Sequence, residues 1–558
     1  MTQSNSYAPW FGEETWEKTI ILLMTLVLIQ TAVITYWFIL ADDSQGDAGR
    51  DAQIFAMRGL GQRMTGNLQT GYAETVAYQR WSEYTTLANL ADSDDDPLTA
   101  KRYRAARDRI AKLSPLLQKP YLNPPDSVPD TWTYQADTFL VETVAQAERF
   151  ANQYTLKSFW YDKASAFATQ LTLLAVALFL FGLANTTKNQ MRWVFAGSGV
   201  TLGLIVFGWS LVAQNQTIEG LPDPAMQQYA RGVGLAHQGK FAQAVAAFDQ
   251  ATQLAPNYAN VYRERGFAQF EQGNYAHAIV DFQNARTQGD ASADVAGALA
   301  WAYYVQGDLP NAIAMNRIAL AKKSGEEWIE YDLALALLAA GDLDAAQAQY
   351  TASMNTATKN VSSARAAGKQ PPATLWWSLD TSANDLTNLV VCLNGKSCVD
   401  TPALKNIAAP SQIQALAAKL AVQLRELSVA LEYTDKPPQG SLAATISPFR
   451  FTQDDPKNAR AKFSSVIEES SKPIYMVFDY TGLRAGDLVI VKVWVAGVED
   501  LGLRVVEEFA PQKFGSSGKN AFLPFSLGDV PLDAGVYRVE FFVNARLAQQ
   551  GEFTIEEE

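Results

Sequence analysis

Residues 225–256 read AMQQYARGVGLAHQGKFAQAVAAFDQATQLAP, and the same pattern returns three more times along the chain. The interval is 34 residues, which is clearest at the glycines and at the alanines that follow them. These positions are Gly239, Gly273, Gly307 and Gly341, then Ala244, Ala278, Ala312 and Ala346. A fixed period of this length predicts one supersecondary unit that is copied and stacked.

The rest of the unit repeats as well, since Phe248 is followed at the same interval by Phe282, by Asn316 as an exception, and by Tyr350. The first copy resembles the tetratricopeptide repeat (TPR) at Gly232, Leu235, Gly239, Ala244, Phe248, Ala251 and Pro256. That resemblance implies an α-solenoid of four antiparallel helix pairs over 225–360. It also implies a concave groove, lined mainly by the first helix of each pair, to which other proteins dock.

The same resemblance places eight large or cationic side chains in the groove: Tyr229, Arg263, Phe267, Phe270, Trp301, Tyr304, Trp328 and Tyr331. Large rigid side chains of this kind dominate binding hot spots. Because Arg263 is the only cation at these positions, the expected ligand is an apolar or aromatic peptide segment and not an acidic tail. The alternative is that several of the eight pack between helices as core.

Three apolar stretches predict a membrane protein. Residues 19–40 carry no charge, follow an N-terminal tail over 1–18, and are long enough to cross a hydrocarbon core of about 30 Å. Residues 164–184 and 193–213 are two further predicted spans, joined by a short polar turn at 185–192. We interpret the first stretch as a retained anchor, because a removable signal peptide has a shorter apolar core.

The short loops predict the orientation of the spans. The 185–192 turn carries Lys188 and Arg192 and no acid, whereas the first span exits into Asp42 and Asp43. Positive charge favours the cytoplasmic side of a membrane. We therefore expect a cytoplasmic N-terminus and turn, with 41–163 and 214–558 extracytoplasmic.

Segment 41–163 is predicted to form an extramembrane helical bundle. On the outgoing limb Ile54, Met57, Met64, Leu68 and Tyr72 share one helical face, and on the return limb Leu140, Val144, Ala147, Ala151 and Tyr154 share another. Two such limbs predict an antiparallel pair. The span–bundle–span order loosely resembles the ligand-sensing part of bacterial chemoreceptors, which implies a small-molecule ligand as an alternative function.

The remainder divides into a helical part and a β part. Residues 361–435 are predicted to hold helices that cap the last repeat, and Cys392 and Cys398 can close a small loop there as a disulfide, with two free buried thiols as the alternative. Over 440–558 apolar residues alternate, as at Val489, Val491, Val493 and Val495, which predicts strands. This segment resembles a bacterial immunoglobulin-like β-sandwich.

The composition excludes several classes of function. A net charge of −13 disfavours nucleic acid as a partner, because binding to phosphates rests on Lys and Arg. Two histidines, two cysteines and no recognisable catalytic motif predict a protein that is no enzyme and has neither cofactor nor metal. The chain is therefore expected to be a membrane-anchored scaffold that binds envelope proteins and the lipid bilayer. A sensor, or an accessory subunit of a larger membrane complex, is the alternative.

Overall fold

The computed structural model describes residues 13–123, 128–395, 410–433, 442, 444–458, 460–468, 472–495, 499–510, 515, 517–525 and 532–556. It divides into two compact units, Met1–Gln272 and Gly273–Glu558.

The first unit is helical. Its helices are α1 Glu13–Tyr72, α2 Gln79–Ser93, α3 Pro97–Leu113, α4 Thr131–Gln135, α5 Val141–Thr186, α6 Met191–Asn215, α7 Asp223–His237, α8 Phe241–Leu254 and α9 Ala259–Glu271. Three helical segments within the described residues are long and apolar enough to cross a membrane, and these contain α1, α5 and α6.

Helix α1 runs from the first apolar stretch into the bundle without a break and packs along α5. Its buried side includes Ile20, Val27, Ile34, Ala41 and Ala48, which follow one another at intervals of seven residues. A seven-residue interval keeps one seam of a helix against its partner, as in a coiled coil. The apolar faces predicted for the outgoing and return limbs of the bundle are therefore not the surfaces along which the two helices pack.

Small residues explain the difference. A Cβ atom on Gly66 would lie 2.2 Å from the Phe139 side chain, so the two helices approach closely at this point. The larger side chains of Met57, Met64 and Leu68 lie on another side of α1 and are exposed. On the return limb, Ala147 and Tyr154 are exposed and Ala145 is buried.

Two π-helical segments interrupt the bundle helices. Ala73–Tyr78 lies between α1 and α2, and Ala136–Leu140 lies between α4 and α5. Helices α2 and α3 form a hairpin beyond the first of them. Asp96 begins α3 by accepting a hydrogen bond from the Thr99 backbone N–H, with Pro97 in the first turn.

Backbone conformation explains why glycine recurs at the repeat interval. Gly239, between α7 and α8, has φ +70°, a conformation that L side chains rarely adopt. In the same repeat a Cβ on Gly232 would lie 2.4 Å from the Phe248 ring, so this pair of helices depends on a small residue facing a large one. Ala244, Phe248 and Ala251 are fully buried. The positions that recur in the sequence are therefore the contact positions of the helix pair.

In the second unit the helices are α10 Tyr275–Thr287, α11 Ala293–Gln306, α12 Leu309–Lys322, α13 Glu327–Ala339, α14 Leu343–Ala366, α15 Ala373–Leu393 and α16 Pro410–Tyr433. Gly307 and Gly341 stand between α11 and α12 and between α13 and α14, with φ +80° and +85°. One apolar core continues from α11 to α16, through Tyr304, Tyr350, Leu379 and Leu424.

The strands are β1 Thr445–Ile446, β2 Arg450–Thr452, β3 Val466–Glu468, β4 Ile474–Thr481, β5 Leu488–Val495, β6 Glu499–Glu508, β7 Ser517–Phe525, β8 Gly535–Val543 and β9 Arg546–Glu556. They form two sheets. In one, β4 pairs with β1, β2 and β7; the other has the order β3-β9-β8-β5-β6, in which only β3 and β9 are parallel among the described pairs. Val491 and Val493 lie in the core that the sheets share, as the alternation predicted.

The opposite face of β5 is also buried, because α15 and α16 pack near it. Ile490 joins Val429, Ala430 and Phe542 in a small apolar cluster. Next to it lies a charge cluster, defined here as Arg425, Lys492, Arg538 and Glu540 with Asp380. The Arg425 and Arg538 Nε atoms lie 3.1 and 3.0 Å from Glu540 Oε1, and Lys492 Nζ lies 4.0 Å from Asp380. The strands are thus joined to the capping helices by both apolar and ionic contacts.

Candidate protein-interaction surfaces

Four of the eight predicted groove residues lie in the first unit, Tyr229 on α7 and Arg263, Phe267 and Phe270 on α9. Tyr229 is buried, with its ring 6.1 Å from that of Phe248 and 5.2 Å from that of Tyr258. Burial raises the pKa of the Tyr229 hydroxyl, and the carboxylates of Glu264 and Glu148 raise it further. Tyr229 is therefore a core residue.

Helix α5 packs against α7 of the first repeat and also contacts the start of α9, the first helix of the second repeat. Glu148 accepts hydrogen bonds from the Tyr258 hydroxyl at 2.6 Å and from the Asn260 amide at 3.1 Å. A Cβ on Gly234 would lie 2.4 Å from the Val141 side chain. Helix α5 of the same chain therefore contacts the first helices of both repeats.

The α9 candidates remain partly accessible. Phe267 and Phe270 are half-buried, and the Arg263 guanidinium pairs with Glu264 at 3.0 Å. This neighbouring carboxylate offsets the positive charge of Arg263. An accessible surface made of two aromatic rings and a neutralised cation suits an apolar or aromatic segment better than an acidic one.

The other four candidates lie in the second unit. Tyr304 on α11 and Tyr331 on α13 are buried in the core that extends to α15 and α16. Trp328 packs across the backbone of α11, since a Cβ on Gly297 would lie 2.4 Å from its ring. Trp301 is half-buried, and its ring lies 5.3 Å from that of Tyr304. Trp301 and Trp328 therefore keep some accessible surface, whereas the two tyrosines are buried.

Carboxyl groups accompany these tyrosines. Burial raises the pKa of the Tyr304 hydroxyl well above its ordinary value, and the carboxylates of Asp385 and Asp332 act in the same direction. Burial also raises the pKa of Asp332 well above its usual range, with Asp385 contributing. Burial of this carboxyl group therefore disfavours its charged form.

The predicted disulfide lies partly outside the described residues. Cys392 is buried near the end of α15, and Cys398 falls in 396–409. In the described part of the chain, no group of three or more His, Cys, Asp or Glu side chains is arranged to hold a metal ion.

Two sets of polar contacts, those of Glu148 and those of the charge cluster, were not predicted from the sequence. Glu148 was one acid among many on the return limb, and only its position opposite Tyr258 and Asn260 distinguishes it. The charge cluster was equally hidden, although a lysine within the run LVIVKVWV of β5 was a signal. One face of β5 packs in the core, and a buried charged side chain on the other face requires a partner of opposite charge.

Family models match the chain in its repeats. One described as TPR repeat covers residues 235–273, and one described as Tetratricopeptide repeat covers residues 264–327. The chain contains tetratricopeptide repeats. No curated protein matches the chain.

Solved structures resemble parts of this TPR-containing chain. YrrB, titled a TPR protein with an unusual peptide-binding site, is 14% identical over 37% of this chain and 91% of its own, with a TM-score of 0.25. MamA from Desulfovibrio magneticus RS-1 is 19% identical over 32% of this chain and 94% of its own, with a TM-score of 0.23. The APC/C hetero-tetramer Cut9-Hcn1 is 13% identical over 75% of this chain and 94% of its own, with a TM-score of 0.24.

Proposed function

We propose that the protein is a membrane-anchored scaffold that binds other proteins through its tetratricopeptide repeats and catalyses no reaction. The observation that carries this proposal is the set of partly exposed first-helix side chains. In the first unit these are Arg263, Phe267 and Phe270, and in the second they are Trp301 and Trp328. Tyr229, Tyr304 and Tyr331 support the repeats from within and leave the partly exposed residues as the binding surface.

The favoured ligand is an apolar or aromatic peptide segment of another envelope or membrane protein. Partly buried aromatic rings offer a large area at a small cost in side-chain entropy, which suits them as anchors for such segments.

A peptide library presented to the full chain in lipid nanodiscs tests this proposal. We expect segments with aromatic residues to be enriched, and Phe267→Ala or Trp301→Ala to weaken their binding about ten-fold or more. Val280→Ala is the matched control, because Val280 is exposed on α10, a second helix of its pair. Equal binding by all three variants would remove these surfaces from the proposal.

Membrane anchoring belongs to the same proposal, with α1, α5 and α6 as the spans. Lys163 supports the pairing of α5 with α6 as neighbouring spans, since its ammonium donates to the backbone carbonyls of Gln214 and Gln216 at 3.1 and 2.9 Å and so caps α6. The N-terminus and the 185–192 turn are placed in the cytoplasm, and 41–163 and 214–558 outside it. The antiparallel strands of the C-terminal part support an immunoglobulin-like spacing module.

Cysteine labelling tests the orientation. The variants Ser44→Cys and Thr217→Cys should react with a membrane-impermeant maleimide on intact cells, whereas Asn189→Cys should react only after the cells are opened. The reverse pattern would place the repeats in the cytoplasm and would change the class of partner, while the peptide assay would keep its meaning.

A further inference from the structure

A cleft of about 360 Å³ is lined by residues from both π-helical segments of the bundle. Ala73 begins one segment and lines the cleft, and Asp137 and Thr138 belong to the other. The cleft is also lined by three tyrosines, Tyr72, Tyr121 and Tyr134. Because π-helical turns are rare and recur at functional sites, two of them beside one cleft direct attention to it.

The cleft presents an acid that has no cationic partner. Among the described residues, the Asp137 carboxylate accepts hydrogen bonds from the Tyr121 hydroxyl at 3.2 Å and from the Gln238 amide at 3.5 Å, and it forms no ion pair. His237, the last residue of α7, lies next to Gln238, and burial lowers the pKa of its imidazole and so disfavours the charged form. The Asp137 carboxylate is exposed at the cleft, so a cationic ligand can reach it.

The aromatic rings narrow the class of that ligand. Tyr121 and Tyr134 stand edge to face with their ring centroids 5.1 Å apart, and Tyr72 is exposed at the opening. Aromatic faces next to a carboxylate attract an organic cation. No Lys or Arg lines the described cleft, which makes an anion a poor ligand.

One buried hydroxyl is unsatisfied at the same place. Ser114 lines the cleft, is 2% exposed, and its Oγ has no hydrogen-bond partner in the described structure. A buried hydroxyl without a partner is costly unless something fills the position. A ligand that carries a hydroxyl group beside its ammonium group would satisfy both Asp137 and Ser114.

We infer that this cleft is a binding site for small organic ammonium ions, with Asp137 as counter-ion, the tyrosine rings as the cation-binding wall and Ser114 as a hydrogen-bond partner. The site lies beside the first repeat, since Gln135 of α4 lies 3.3 Å from His237 Nε2 and Gln238 reaches Asp137. An occupied cleft would thus act on the contact between the bundle and that repeat. This inference is independent of whether the repeats bind a peptide.

Calorimetry of the full chain in nanodiscs of phosphatidylglycerol, which contains no ammonium group, tests the site with choline as the probe. We expect choline to bind and its uncharged isostere, in which carbon replaces the ammonium nitrogen, not to bind. Asp137→Asn should weaken choline about ten-fold and Tyr72→Ala about three-fold, from loss of the charge pair and of one cation–π contact.

Asp51→Asn is the matched control, because Asp51 is exposed on α1 and outside the cleft. Circular dichroism checks that each variant folds, and Tyr72→Ala alters only an exposed side chain. Three results would each overturn the inference: no heat with choline, equal binding of the isostere, or choline binding that Asp137→Asn leaves unchanged.

Discussion

Glu540 is the residue whose replacement should loosen the strands of the second unit from the capping helices most strongly. Its side chain is 1% exposed and receives the Trp494 indole N–H at 2.9 Å, in addition to the two arginines at 3.1 and 3.0 Å. Glu540→Gln keeps the shape and removes the negative charge. It leaves two guanidinium groups facing each other in a site that water hardly reaches.

The expected cost follows from these contacts. Removing one partner of a buried ion pair costs about 3–5 kcal/mol. Arg425 keeps hydrogen bonds to Thr387 and Gln550 at 2.8 and 3.3 Å, which favours the lower end. At about 1.4 kcal/mol for each factor of ten, a loss of about 3 kcal/mol makes local opening about 100-fold more frequent.

Native-state hydrogen exchange of the full chain in nanodiscs measures this opening. The amides of α16 and of β8 should exchange about 100-fold faster in Glu540→Gln. Glu468→Gln is the control, because Glu468 is exposed on β3 and outside the charge cluster, and it should change exchange no more than about two-fold. Adding Arg425→Met to Glu540→Gln should recover part of the protection by removing an uncompensated charge. Equal exchange in the two glutamine variants would refute this reasoning.

Two further predictions concern other contacts. Glu148→Gln should weaken the attachment of α9, the first helix of the second repeat, to α5 by about 1–2 kcal/mol, because Tyr258 and Asn260 lose a charged acceptor. Faster hydrogen exchange over 255–270, absent in the exposed Glu219→Gln, would show this effect. The second prediction concerns Asp380. Burial raises the pKa of its carboxyl group to about 6, although the nearby charge of Lys492 acts in the opposite direction. Since the folded-state pKa exceeds the unfolded one of 3.8, this carboxyl group contributes stability at low pH that is lost as pH rises through about 6. The difference in unfolding midpoint between the natural chain and Asp380→Asn should therefore decline from pH 4 to pH 7, and a constant difference would contradict it.

Local regularities made much of the fold predictable. The repeats were evident because each copy must reuse the same small turn residue and the same contact pair, as Gly239, Gly232 and Phe248 do in the first. The apolar stretches of α1, α5 and α6 were evident for a similar reason, since length and composition alone identify them. The alternation in β5 likewise predicted that Val491 and Val493 face one core.

Contacts between distant segments were not predictable in this way. The periodicity of α1 indicated a face with Met57, Met64 and Leu68. In this stretch the helix instead buries the smaller Ala52 and Gly66, and it approaches Phe139 closely at Gly66. The same holds for the repeat residues. Their spacing indicated which of them lie on first helices, but not that Tyr229, Tyr304 and Tyr331 would be buried.

The sequence by itself thus determined the kind of elements, their order and the repeat that stacks them, because helix and strand periods and turn residues act over short stretches of chain. Only the tertiary structure decided which polar groups meet. Glu148 lies 110 residues from Tyr258, Asp137 lies 16 residues from Tyr121, and Glu540 lies 115 residues from Arg425. No local period encodes such pairings, since they arise only when the packed helices and sheets bring those side chains to one place.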